Sequence, residues 1–398
     1  MISVEEALKL VLETAKPLGV ETVPLEMAIG RILGEDVFAD RPMPPFNRVT
    51  MDGIAIAYDA FTEGKVFPIE AIAPAGSPQL TLKDGDNCIE IMTGASLPEG
   101  TDTIVRYEDL EKLDCGYKIQ ALVRKGQNVH LQGSDHAEAS ILLKAGTEIK
   151  AVDVNILATV GKSYVDVYKM PKVAVISSGD ELVEVDEIPA SYQIRKSNVH
   201  MISSRLHQLG LSSNIFHFKD QVDEIYNRMN SILNEYDVLL MSGGVSKGKF
   251  DFIPEVLDRL GFKKVFHKVA QRPGKPFWFG VNGEKTVFAF PGNPVSTLAC
   301  FQKYFLPWLG HTINTSFIKI KVVLAEDVNF KPDLTYFAQA QVYQGDDGRM
   351  YALVKHGNGS GDIVNPSSMD GFLEIPPGRE VYLKGEMFDF VPFHPIYK

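Results

Sequence analysis

Lys172-Val173-Ala174-Val175-Ile176-Ser177-Ser178-Gly179 is the stretch that decides the fold. An apolar run of this kind, ending in small polar residues and glycine, reads as a strand covered on both faces that opens into a loop. Working outward, the same pattern repeats. The stretch around Asn198–Leu209 has helical spacing and stops at Gly210. Asp237–Met241 reads as a second strand running into Ser242-Gly243-Gly244. Pro254–Leu260 reads as a helix ended by Gly261. Thr286–Phe290 is a third strand, opening into Pro291-Gly292-Asn293-Pro294, with a helix from Val295 toward Phe305 behind it. Strands alternating with helices predict an α/β domain built on a parallel sheet with right-handed crossovers.

The flanks differ in texture. Ser3-Val4-Glu5-Glu6 is a capping box, and Val4, Ala7, Leu8, Val11, Leu12 and Ala15 continue it as an amphipathic helix ended by Pro17 and Gly19. From about residue 40 to 150, prolines (Pro42, Pro44, Pro45) and glycine turns such as Leu143-Lys144-Ala145-Gly146-Thr147 break up short apolar runs. That predicts a small β-rich domain. After about residue 315, strand-like runs such as Ile318–Leu324 and Glu380–Lys384 return between glycine turns, predicting a C-terminal β-barrel. There is no internal repeat.

Composition sets bounds on function. At 398 residues the chain holds two to four domains, and 45% hydrophobic with 23% charged residues is ordinary for a soluble globular protein. No run approaches the roughly 18 apolar residues of a membrane span. The N-terminus has neither a basic nor an apolar leader region, so the expected place is the cytoplasm. Three scattered cysteines, Cys88, Cys115 and Cys300, make neither a disulfide framework nor a zinc pattern. A net charge of −11 argues against nucleic acid as a partner.

The chemistry is expected where strand carboxyl ends meet polar loops, the usual crevice of an open α/β sheet. Three loops qualify: Ser178-Gly179-Asp180-Glu181-Leu182, Ser242-Gly243-Gly244-Val245-Ser246 and Pro291-Gly292-Asn293-Pro294-Val295-Ser296. Glycines bring backbone N–H groups close to an anion, and a helix N-terminus adds a favourable dipole. Together the loops suit a phosphate or another oxyanion; any one of them would serve equally as an ordinary strand-to-helix turn. Gln271-Arg272-Pro273-Gly274-Lys275-Pro276 sets two cations on a turn stiffened by proline. They read as an oxyanion clamp or as a solvated basic turn. Asp180, Glu181, Asp220 and Asp251 are the nearby carboxylates, and Mg²⁺ takes one or two of these beside phosphate oxygens. Asp251 also fits a helix N-terminal charge, and Asp220 a turn residue. Gly243 to Lys249 spells G-x-x-x-x-G-K, but Phe250 stands where a P-loop needs Ser or Thr for its metal, which excludes that reading.

Several motifs, in order across nearly the whole chain, resemble the molybdopterin molybdenumtransferases, the MoeA family, which includes the E domain of gephyrin. They are Thr50-Met51-Asp52-Gly53, Met92-Thr93-Gly94-Ala95, Gly133-Ser134-Asp135, Arg195-Lys196-Ser197-Asn198, Pro273-Gly274-Lys275-Pro276 and the three loops above. The resemblance implies four domains: a discontinuous elongated linker domain over 1–48 and 137–170, an inserted β-rich domain over 49–136, a three-layer α/β domain over 171–314, and a β-barrel over 315–398. It implies a homodimer with shared clefts, in which Asp52, Thr93 and Asp135 face the partner's site. It implies adenylylated molybdopterin and molybdate as substrates, hydrolysis of the adenylate, release of AMP and a Mg²⁺ requirement. The molybdopterin adenylyltransferase and acceptor apoenzymes are the implied transient partners. Carried over by motif, Glu181, Asp220 and Asp251 serve the metal and the adenylate; Arg272, Lys275 and Ser296 hold molybdate. Ser178, Gly179, Ser197, Asn198, Gly243, Gly244, Ser246, Pro276, Gly292, Asn293 and Pro294 line the substrate.

The sequence departs from the family in three places. Asn47-Arg48-Val49-Thr50 replaces the family's Asp-Asn-Ser, adding the charge of Arg48. Lys247 and Lys249 stand where the family is acidic. No arginine stands near Thr335–Ala340, where the family contributes one. Two other functions fit parts of the pattern. A molybdopterin adenylyltransferase uses the sheet domain alone, and a non-catalytic scaffold would share the whole fold.

Overall fold

The structure is a computed structural model that describes residues 1–244 and 252–394. The chain divides into two compact units. One comprises Met1–Glu35, Gly146–Val154 and Tyr164–Lys398; the other comprises Asp36–Ala145 and Asn155–Ser163.

In the larger unit, the deciding stretch forms strand β1 (Val173–Ser178). It is followed in chain order by α2 (Asn198–Gln208), β2 (Ser213–Phe218), α3 (Val222–Glu235), β3 (Val238–Ser242), α4 (Ile253–Arg259), β4 (Lys263–His267), β5 (Trp278–Asn282), β6 (Lys285–Phe290) and α5 (Pro294–Cys300). The N-terminal helix α1 (Val4–Leu12) precedes them. The strands form one sheet in the order β2-β1-β3-β6-β5-β4. The first four are parallel, the three expected from the sequence (β1, β3 and β6) together with β2.

All of β1 and β3 is buried because both faces are covered. Val173, Val175, Val238, Leu240 and Phe288 face α2 and the residues of α1 and α5. Ala174, Ile176, Leu239, Met241 and Val287 face α3 and α4. This period of two, apolar on both sides, is why the sequence run has no polar interruption. Burying each Val, Leu or Ile contributes about 1.5–3 kcal/mol, so a single charge at Leu240 would break the layer.

One expectation about the sheet is corrected. The sheet is not wholly parallel, because β5 runs antiparallel to both β6 and β4. The two-residue loop Gly283-Glu284 returns β5 to β6, with Gly283 at φ 59°, a conformation glycine takes without steric cost. The helix after Phe290 forms as expected and is longer, α-helical over Pro294–Cys300, π-helical over Phe301–Phe305 and α-helical again over Leu306–Thr312.

The N-terminal helix starts where the capping box placed it, with Ser3 Oγ accepting from the Glu6 amide at 3.1 Å. It buries Val4, Ala7 and Val11.

Behind the sheet domain lies a closed barrel of β7 (Ile320–Leu324), β8 (Thr335–Gln344), β9 (Met350–Val354), β10 (Gly371–Ile375) and β11 (Met387–Pro392), paired in the circuit β8-β9-β7-β11-β10-β8. The short strand Gln271–Arg272 adds to it in parallel, Gln271 opposite Thr335 and Arg272 opposite Tyr336. The expected strand at Glu380–Lys384 shrinks to Val381–Tyr382, which pairs with Val328–Asn329 outside that circuit.

The smaller unit is β-rich, as expected. Its main sheet orders Ile69–Ala73, Cys88–Ile91, Gly53–Ile56 and Thr103–Arg106 over a core of Val49, Ile89, Ile91 and Ile104. Among the described residues no helix is long and apolar enough to cross a membrane.

Candidate active site

Four loops crown the carboxyl ends of the parallel strands of the larger unit. The loop after β1 holds Gly179 at φ 142°, and the Glu181 carboxylate folds back into the space a Cβ there would need. The loop after β2 carries Asp220. Its Oδ1 accepts from the Ser178 hydroxyl at 3.0 Å, and its amide donates to Asp180 Oδ1 at 3.2 Å. Sequence reading grouped Asp220 with Asp180 and Glu181 or made it a turn residue; here β2 lies beside β1, so their loops meet. The loop after β3 puts Gly243 at φ 98°, where a side chain would meet the Ser178 carbonyl at 2.8 Å. A Cβ on Gly292, in the loop after β6, would lie 3.7 Å from Gly243 Cα. Gly244, at φ 72°, packs on Ile253.

Asn198 ties this crown together. Its amide donates to Ser242 Oγ at 2.8 Å, to the Gly292 carbonyl at 2.7 Å and to Thr297 Oγ1 at 3.3 Å. It thus acts as a strut between the loops after β3 and β6. Ser197 precedes it as the α2 cap residue and makes no side-chain cap bond. Beside the crown, Ser177 Oγ lies 3.0 Å from His217 Nδ1. Burial pushes the imidazole pKa of His217 down, which favours the neutral ring.

Among the described residues no three His, Cys, Asp or Glu side chains converge to make a metal centre alone. The carboxylates of the crown are instead spread over two adjoining loops, Asp180 and Glu181 after β1 and Asp220 after β2. That is the donor supply Mg²⁺ uses when phosphate oxygens and water complete its shell, so the residues fit this ion and do not fit zinc. Asp251 and Ser246 lie outside the described residues.

The clamp residues sit in a separate recess, a cavity of about 550 Å³ between the sheet domain and the barrel. Arg272, Lys275, Pro276, Asn293 and Ser296 line it from the sheet side; Phe330, Tyr336, Gln339, Lys355 and His356 line it from the barrel side. Among the described residues, no Asp or Glu lines it. In a chain of net charge −11, cations gathered without carboxylates mark a place for an anion.

The turn is held from beneath. Gln271, fully buried, accepts from the Tyr304 hydroxyl and donates to the Pro273 carbonyl at 3.1 Å and to Cys300 Sγ at 3.5 Å. Gly274 sits at φ 95°, and a Cβ there would lie 2.5 Å from Gln271 Nε2 and 2.8 Å from Cys300 Sγ, so only glycine fits. Pro294 opens α5, and the preceding Asn293 spends its amide on Ser360 Oγ at 2.7 Å. Thus Arg272, Lys275, Pro276, Asn293 and Ser296 are brought together. Glu181 and Asp220 form a second group that does not line the cavity.

In the smaller unit, Asp52 Oδ1 accepts from both the Thr93 amide at 2.6 Å and the Thr93 hydroxyl at 2.7 Å. These bonds hold its carboxyl below the usual range. Asp135 Oδ1 lies 2.8 Å from His130 Nε2, and the Arg48 guanidinium lies 3.2 Å from His130 Nδ1. A guanidinium can only donate, so Nδ1 accepts and Nε2–H donates to Asp135. The departure at Arg48 therefore fixes the tautomer that holds Asp135.

Sequence reading missed Gln271, Tyr304, Tyr336, Lys355, His356 and Ser360. The run Lys355-His356-Gly357-Asn358-Gly359-Ser360-Gly361 carried a signal, glycine-rich and cationic, but no flanking helix marks it.

Comparison with known proteins places these features in context. Residues 2–161 match the MoeA N-terminal region (domains I and II), residues 174–311 a probable molybdopterin binding domain, and residues 321–393 the MoeA C-terminal region (domain IV). The chain is 35% identical over 396 residues to a molybdopterin molybdenumtransferase of Synechocystis, covering 98% of this chain and 99% of that one. It is 30% identical over 400 residues to the molybdopterin molybdenumtransferase of Staphylococcus aureus, covering 98% and 95%. Two solved structures of the molybdopterin biosynthesis MoeA protein from Pyrococcus horikoshii superpose with TM-scores of 0.85 and 0.81, at 28% and 26% identity. They cover 99% and 98% of this chain, and 99% and 100% of the solved chains.

Proposed function

The chain belongs to the MoeA family of molybdopterin molybdenumtransferases, and on that premise we propose that it takes molybdate and adenylylated molybdopterin, releases AMP, and leaves molybdenum on the dithiolene in a Mg²⁺-dependent step. It is a transferase of molybdenum cofactor biosynthesis. The observation that carries the anion half of this reading is the cavity lined by Arg272 and Lys275 and, among the described residues, by no carboxylate.

The roles follow from chemistry. Lys275 places a point charge, and Arg272 a planar fork, against a tetrahedral dianion; Ser296 adds a hydroxyl donor. The glycine loops after β1, β3 and β6 hold the phosphate groups through backbone N–H donors, and Asn198 keeps two of these loops at a fixed spacing. Ser178 occupies one oxygen of Asp220 and leaves the other for a metal or a water. Glu181, Asp220 and Asp251 would hold Mg²⁺, which when bound supplies charge stabilisation to the phosphate oxygens.

By the same resemblance the protein works in the cytoplasm as a homodimer. Asp52, Thr93 and Asp135 then serve the partner's cleft, held ready by the bonds of Thr93 and His130. A monomeric mass in light scattering at micromolar protein would remove the shared cleft. Transient contacts with the enzyme that supplies the adenylate and with acceptor apoenzymes complete the scheme. The four-part division at 1–48 with 137–170, 49–136, 171–314 and 315–398 belongs to this reading.

The direct test is reconstitution with purified protein, adenylylated molybdopterin, molybdate and Mg²⁺, reading AMP release and activation of a cofactor-free apoenzyme. Adenylate formation from ATP and molybdopterin would make the protein an adenylyltransferase instead. Ligand binding without turnover would make it a scaffold.

A further inference from the structure

We infer that Lys355, carried by the barrel, is the third cation of the oxyanion site and sets its affinity. The inference rests on the reading of the cavity as an anion site. Arg272 and Lys275 enter that cavity from the sheet side, Lys355 and His356 from the barrel side.

The barrel segment that bears Lys355 is fastened to the clamp at several points. The Lys355 amide donates to the Gln339 carbonyl at 2.9 Å, which fixes the end of β9 against β8. Farther along, Ser360 Oγ accepts from the Asn293 amide group at 2.7 Å, and the Ser360 carbonyl accepts from the Val295 amide at 3.1 Å. The 355–360 segment is therefore docked on the loop that carries Ser296. Arg272 itself is a register partner of Tyr336 on β8, and the Tyr336 hydroxyl lies 3.5 Å from His356 Nδ1. The two sides of the cavity are thus one hydrogen-bonded frame.

Charge assigns the role. Lys196, Lys285 and Lys303 each have a carboxylate partner, Glu184, Asp237 and Glu374. Among the described residues, Lys355, like Arg272 and Lys275, has no ion pair, and no carboxylate lines the cavity. Two cations neutralise a dianion such as molybdate. A third gives the site net positive charge, which lets molybdate bind beside the phosphate of a second substrate without mutual exclusion.

The test is a molybdate binding isotherm by calorimetry on the full-length protein, with Lys355→Ala, Lys355→Arg and Lys275→Ala run in parallel and melting temperatures recorded. We expect Lys355→Ala to weaken molybdate roughly tenfold, and Lys355→Arg to restore most of the loss, with melting unchanged. Molybdate affinity should fall more steeply with added salt in the wild type than in Lys355→Ala, because the third cation acts through charge. If Lys275→Ala weakens binding and Lys355→Ala leaves it unchanged, the barrel lysine is a rim residue and the inference is wrong, while the anion site stands. If neither substitution alters the isotherm, both the inference and the anion site fall together.

Discussion

The fully buried contact between Gln271 and Tyr304 makes a prediction whose sign is unusual. Gln271→Met keeps the volume of the side chain and removes its polar atoms. The fully buried Tyr304 hydroxyl and the half-buried Pro273 carbonyl, both bonded to Gln271, then lose a partner. The orphaned buried hydroxyl costs about 1–3 kcal/mol and the half-buried carbonyl less, so the variant should lose roughly 1–4 kcal/mol. Tyr304→Phe alone orphans Gln271 Oε1 and should cost about 1–3 kcal/mol. Added to Gln271→Met, however, Tyr304→Phe removes a hydroxyl that already lacks its partner, and should cost nothing or recover about 1 kcal/mol. The assay is urea unfolding followed by tryptophan fluorescence. Both tryptophans of the chain, Trp278 and Trp308, are buried in the core of the same unit, so the signal reports on this region. Molybdate affinity should fall with Gln271→Met by roughly 3- to 10-fold, because the turn carrying Arg272 and Lys275 loses its anchor. Additive costs in the double variant, or a Gln271→Met protein within about 0.5 kcal/mol of wild type, would refute the argument that this network positions the clamp.

Lys275→Ala should raise the molybdate requirement by roughly 10- to 150-fold and be partly rescued at high molybdate, with Lys275→Arg a poor substitute. Three superimposable curves of cofactor formation against molybdate would remove Lys275 from the site. Asp220→Asn should keep the bond from Ser178 yet lower AMP release by about tenfold or more, with melting little changed; turnover equal to wild type at limiting Mg²⁺ would return Asp220 to a loop-fastening role. Asp52 has a carboxyl pKa lowered below its ordinary 3.8 by the Thr93 amide and hydroxyl. Its contribution to stability is therefore fully present above pH 3.8 and is lost as pH falls below that value. Asp52→Asn should flatten this part of the acid-unfolding profile of the smaller unit, and an unchanged profile would count against the capping bonds.

The three-layer core was legible because β1 and β3 are apolar on both faces, which leaves no ambiguity about burial. Direction was not. Nothing in the residue content of Trp278–Asn282 distinguishes an antiparallel strand from a parallel one; only the Gly283-Glu284 turn carries that information. The same limit applies at Glu380–Lys384, where alternation predicted a strand but the available partner, Val328–Asn329, supports only two residues. The loops at strand ends were legible because glycine and proline mark them. Asp220 was less so, since its role depends on β2 lying beside β1, a fact of sheet order and not of spacing.

The barrel side of the cavity was the least legible, for a reason that bears on function. A family pattern ties a charge to a position in the sequence, here an arginine near Thr335–Ala340 that this chain lacks. An anion responds to charge at a point in space. In the closed barrel β9 runs back along β8, Ala340 opposite Val354, so the residue after Val354 ends beside Gln339 on the same cavity wall. Lys355 can therefore present a cation to the recess from a different strand, and the loss of charge along one strand need not be a loss of charge at the site. Adding an arginine back on β8 supplies a direct check. Gln339→Arg, whose side chain would enter the same cavity, should restore molybdate affinity to Lys355→Ala while doing little for the wild type, where the third cation is already present. Equal gains in both backgrounds would mean that the two positions do not serve one anion.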